Sequence, residues 1–180
     1  MPLSPASQRE PVHTRAVTCR GFRRADGLWD IEGHLCDTKS MDIEDYGRGR
    51  LPAGEPVHEM WIRMTVDDSL TIRAIEAVTD AGPYPVCPAI AVNFQRLVGL
   101  TVGPGWSRKV RERVGGVQGC THLVELLSPV ATTAYQTLNS GEPSGEGLAP
   151  GQRPPLLNSC HAFDERGALA ARFWPSFHRP

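Results

Sequence analysis

A chain of 180 residues, 40% hydrophobic and 22% charged with a net charge of −1, has the size and apolar content of a single globular domain with short tails. Its 18 Gly and 16 Pro are spread along the length, which excludes wholesale disorder, and its 19 basic residues are balanced by 20 acidic ones, so nucleic acid is not an expected partner. No run nears the roughly 18 consecutive apolar residues of a membrane span, and the start, MPLSPASQREPVHTRAV, lacks a signal-peptide core; the expectation is a cytoplasmic protein with no membrane partner.

Residues 1–12 are Pro-rich and polar and read as a loose lead-in. Trp29, Ile31, Gly33 and Leu35 then alternate with Asp30, Glu32, His34 and Cys36, the period of a half-buried strand, and 16–23 can pair with it across Ala25-Asp26-Gly27. Residues 37–56 carry acids, glycines and prolines without an apolar period, and predict a long excursion between strands. From Val57 alternation returns, with His58 on the face of Met60, Ile62, Met64 and Val66; Asp67-Asp68-Ser69 is turn chemistry, and 70–78 resumes as a strand.

After residue 80 the signal changes to helix. Pro88 suits a first helical turn and Gly99 a stop, a basic amphipathic helix covers 106–114, and a third runs from near Cys120 to Leu138 across Pro129. Strands first and helices after predict an α+β fold, a largely antiparallel sheet with helices on one face. The expected organisation is one domain over 13–138, a flexible Gly/Pro/Ser/Glu linker over 139–155, and a tail over 156–180 that can dock back.

Five cysteines, Cys19, Cys36, Cys87, Cys120 and Cys160, in a chain without an export signal argue for buried thiols, metal ligands or a reactive thiolate rather than a disulfide framework. No CxxC, Walker loop, GxGxxG, GxSxG or HExxH is present. Cys87 and Cys120 each fall at the predicted start of a helix, where unpaired N–H groups favour a thiolate, and His122 lies two residues beyond Cys120. With His58 they form a ligand set for one Zn or Fe ion. Asp80 and Tyr84, in TDAGPYPVCP, are candidate acid and base residues on the loop before Cys87. Each also has a structural reading, as buried thiol, core histidine or turn residue.

The segments CRGFRRADGLWDIEGHLCDTK, EPVHEMWIRMTVDD, TDAGPYPVCP and GWSRKVRERVGGVQGCTHLVELL together resemble the bacterial domain of unknown function family 2889 over about residues 13–138. More remotely, the chain resembles iron–sulfur scaffold proteins of the IscU and NifU type. VCPAIAVNFQRLVG resembles the scaffold's second ligand cysteine opening a helix, and GCTHLVELLSPVATTAYQTL its third cysteine opening the last helix. That resemblance implies an IscU-like core with Cys87 and Cys120 as ligands. The scaffold's first cysteine has no counterpart, because Pro56, Val57 and His58 stand in that region; His58 either substitutes as a ligand or falls nearer the scaffold's site aspartate.

Two functions follow as expectations. One is a small metalloprotein with a Cys/His site, an enzyme of lyase or hydratase type acting on a small organic molecule such as an aromatic one. The other is a scaffold or sulfur carrier that exchanges an iron–sulfur cluster or persulfide with partner proteins. A homo-oligomer is compatible with either.

Overall fold

The structure is a computed structural model that describes residues 3–139, 149 and 151–179. The chain divides into two compact units, Met1–Asn139 and Ser140–Pro180. In the first, strands β1 (His13–Arg23), β2 (Trp29–Lys39), β5 (Pro56–Val66) and β6 (Ile72–Ala81) form an antiparallel sheet in the order β1-β2-β5-β6. A separate ribbon joins β3 (Ile43–Asp45) to β4 (Gly49–Leu51). Gly27, with φ of 85°, makes the left-handed step of the β1–β2 turn. The β5–β6 turn is held by the Asp67 carboxylate, which accepts from the Ser69 and Thr71 amides at 2.9 and 3.0 Å.

Strand parity decides what is buried. In β2 the alternation runs Ile31, Gly33, Leu35, Asp37 inward, and in β5 Met60, Ile62, Met64 point the same way. Helices α1 (Trp106–Val114) and α2 (Thr121–Leu138) close over this face, and Val110, Val114, Leu123, Leu126 and Val130 complete one core with the strands. The architecture is therefore α+β, a four-stranded antiparallel sheet with helices. Among the described residues no helix is long and apolar enough to cross a membrane.

Three expectations need adjustment. The 37–56 excursion is shorter and more ordered than its composition suggests, since β2 continues to Lys39 and the β3–β4 ribbon fills the rest. The element after Pro88 is a 3-10 helix, Cys87–Leu97, rather than an α-helix. The last strand begins later and runs further than 70–78, because Leu70 occupies the turn with φ of 60° and pairing continues to Ala81.

In the second unit, helix α3 (Ala168–Phe173) and two short 3-10 turns surround a small cluster of Leu157, Ala170 and Trp174. The Gly/Pro/Ser-rich run read as a linker lies mostly outside the described residues.

α2 crosses β2 at Gly33, where a Cβ would come within 2.5 Å of a Val130 methyl and 3.2 Å of Leu126 Cδ1. Val130 is β-branched and fully buried, so it has little freedom to yield. Gly33→Leu is expected to cost about 1–3 kcal/mol through overpacking. Thermal unfolding followed by circular dichroism checks this: an unchanged midpoint would mean that α2 does not seat on the strand this closely.

Candidate metal centre

The register of the sheet sets three polar side chains in one row. Arg15 of β1 lies opposite Asp37 of β2, and Asp37 lies opposite His58 of β5. Directly below this row the inward positions are apolar, Leu35 facing Met60 and Gly33 facing Ile62. A β-bulge after Asp37, where Thr38 shifts to pair with Pro56, ends the regular ladder at the polar row.

Asp37 is 1% exposed, and each of its oxygens has partners. Arg15 donates to both, Nε to Oδ1 and Nη2 to Oδ2, each at 2.8 Å. Oδ1 also lies 3.4 Å from His13 Nε2, and Oδ2 lies 3.1 Å from His58 Nδ1. Burial works to raise the Asp37 pKa, but the Arg15 fork and charge overcome it and hold the carboxyl below its ordinary value. Burial pushes the His58 pKa down, as does the neighbouring His122, and the Asp37 carboxylate only partly opposes this. Near neutral pH the His58 ring is therefore uncharged, the form that can donate a lone pair.

His122 reaches the same point from the first turn of α2, its ring centroid 3.8 Å from that of His58. Among the described residues, the donor atoms of Asp37, His58 and His122 all lie within 4.8 Å of one another, a spacing that one ion could span. Cys120, at the N-cap of α2, has its sulfur 3.9 Å from both His122 Nδ1 and the Met60 sulfur.

The two histidines open onto a cavity of about 410 Å³. Its lining includes Met60, Pro83, Val86 and Ile90 as apolar walls, together with Tyr84, Cys87 and Cys120. The β3–β4 ribbon supports one side of it. Gly47 sits so close to the following loop that a Cβ there would come within 2.8 Å of the Pro83 carbonyl oxygen, and the Tyr46 and Tyr84 rings lie 5.5 Å apart. Arg48 anchors the ribbon by bonding Asp45 and the carbonyls of Pro56 and Val57, just before His58.

Five of the six side chains singled out by sequence thus line one cavity: His58, Tyr84, Cys87, Cys120 and His122. Asp80 does not. It is the extra residue of a bulge in β6, where Met60 pairs with Thr79 but Glu59 pairs with Ala81, and it lines a groove with Trp61, Arg63 and Glu76 on the outer face. The reading of Asp80 as a loop residue beside the site is corrected accordingly. Trp106 and Phe94 belong to the core. Asp37 and Arg15 went unread, although extending the β2 alternation by one more step puts Asp37 on the buried face.

The sequence pattern that defines the family described as "Protein of unknown function (DUF2889)" matches residues 13–136. No curated protein and no solved structure matches the chain.

The Arg15–Asp37 pair makes a stability prediction. Removing one partner of a fully buried pair typically costs 3–5 kcal/mol; Arg15 is 35% exposed, which scales the expected loss for Arg15→Met to about 2 kcal/mol at neutral pH. The folded pKa of Asp37 lies below its unfolded value, so this stabilisation is present above about pH 4 and is lost as the pH falls through the folded pKa. Urea melts across that range are expected to show the gap between wild type and variant closing on the acid side.

Proposed function

The chain belongs to the DUF2889 family, and from the geometry of its polar row we propose that it is a metalloprotein whose mononuclear Zn²⁺ or Fe²⁺ centre serves an enzyme acting on a small organic molecule. The observation that carries this reading is the convergence of Asp37, His58 and His122 within 4.8 Å beside a cavity large enough for a small ligand. Two imidazoles are the fixed ligands, and the third comes from the groups at hand, Asp37 or the cavity thiols of Cys120 and Cys87.

A metal held by His58 and His122 would supply Lewis-acid polarisation of a carbonyl or hydroxyl oxygen. The chain's own residues do the rest. Met60, Pro83, Val86 and Ile90 exclude water from the apolar body of a substrate, which suits an aromatic ring. Tyr84 offers a phenolic hydroxyl at the same cavity, able to donate a proton to a departing or developing oxygen. Together these functions fit addition or elimination chemistry of the lyase or hydratase kind.

The scaffold alternative asks for several thiolates meeting at one point. Cys87 and Cys120 do share the cavity, but the groups that converge among the described residues are the two imidazoles with Asp37 and include neither thiol, which suits a single ion rather than a cluster.

Metal analysis after equilibration with Zn²⁺ or, anaerobically, Fe²⁺ is expected to return one ion per chain, with uptake lost in His58→Ala and His122→Ala while the fold persists by circular dichroism. Metal-loaded protein incubated with small hydroxy-aromatic and carbonyl compounds, read by mass spectrometry, is expected to turn over at least one of them, and His122→Ala none. Equal uptake in both histidine variants would remove the centre.

A further inference from the structure

We propose that Arg15 is a positioning residue of this site: its guanidinium fork keeps Asp37 as the hydrogen-bond acceptor of His58 rather than as a ligand, so that His58 offers Nε2 to the cavity. The inference rests on the metal centre proposed above.

Asp37 could act in two ways. Its Oδ2, 3.1 Å from His58 Nδ1, is as close as two ligands of one ion would be, and equally as close as a hydrogen-bonded pair. Arg15 decides between them. It takes both oxygens in a bidentate pair at 2.8 Å, and His13 stands 3.4 Å from Oδ1, so the carboxylate's lone pairs are largely engaged before any ion arrives. A guanidinium does not give up its proton, and a divalent cation bound to the same carboxylate would sit against that fixed positive charge. A hydrogen bond from His58 Nδ1–H meets no such repulsion. It also selects the tautomer, leaving the Nε2 lone pair as the donor, which is the usual arrangement of a ligating histidine backed by a carboxylate.

Arg15 has a second hold on the site. Its remaining arm, Nη1, donates to Glu125 Oε2 at 2.6 Å, and Glu125 lies three residues after His122 on α2, on the same helix face. One side chain on β1 thereby ties the acceptor behind His58 to the helix that carries His122. A lysine keeps the charge but has no planar fork with which to hold both oxygens and the helix together.

The full chain, its Arg15→Lys variant and its Arg15→Met variant are compared in two measurements. The first is a Zn²⁺ titration in competition with a chromophoric chelator, at a temperature where circular dichroism shows each protein folded. Loss of the carboxylate behind a ligating histidine typically weakens metal binding by about 10–100-fold; Arg15→Met keeps Asp37 but frees it to turn, so it is expected to keep one ion per chain with a loss no greater than that range, and Arg15→Lys to fall between it and wild type. If Asp37 were a ligand, removing the competing guanidinium would leave affinity unchanged or raise it, and that result overturns the proposal. The second measurement needs no metal. Long-range ¹H–¹⁵N spectra of the apo chain are expected to show His58 as the Nδ1–H tautomer in wild type and as a mixture in the variants; the same tautomer in all three overturns the positioning role. Wild type with the Nδ1–H tautomer but without Zn²⁺ uptake would remove the metal centre while leaving the role of Arg15 standing. Should Arg15→Met fail to fold, Arg15→Lys carries both readouts.

Discussion

A carboxylate set into the layer between a sheet and its helices must be neutralised there, or the layer cannot close around it. Asp37 is such a group, at the end of a strand face that is otherwise apolar, and Arg15 and His58 meet it from the strands on either side. The rest of the polar arrangement follows from this one contact. Because the three residues lie opposite one another across β1, β2 and β5, side-chain reach is short. Arg15 then extends to Glu125, so the sheet's outermost strand is linked to α2 through the same guanidinium.

The helix side of the site is built by a different constraint. α2 can approach β2 closely only because Gly33 offers no side chain to Val130 and Leu126, and this seating delivers the first turn of the helix, with Cys120 and His122, over the end of the β5 face. Both chemical components of the cavity therefore depend on packing further down the same two elements. Sulfur dominates its soft side, with Met60, Cys87 and Cys120 around the imidazoles, while the β3–β4 ribbon buttresses the loop that holds Tyr84.

Much of the fold was legible from periodicity. The alternation in 29–36 and 57–66 produced the two central strands, the Gly27 turn and Asp67 cluster gave their connections, and α1 spans the 106–114 marked by a basic amphipathic period. His58 was readable as an inward residue for the same reason. The misreadings share a cause: two strands run further than their composition suggests, so residues read as loop obey strand parity. The continuation of β6 to Ala81 puts Asp80 on the outer face with Glu76 and Val78, and the continuation of β2 to Lys39 puts Asp37 on the buried face inside what looked like a polar excursion.

Residue order alone carried which faces are apolar, where the helices start, and that Cys120 and His122 share a helix entrance, because these are local properties set within a few residues of backbone. Which residues meet was a matter of register and of the seating of α2 on the sheet. Arg15 and Asp37 are 22 residues apart, and Arg15 and Glu125 are 110 apart, so nothing in their neighbourhoods marks them as partners. The ion pair behind His58 exists only once three strands and a helix have closed around a single buried carboxylate.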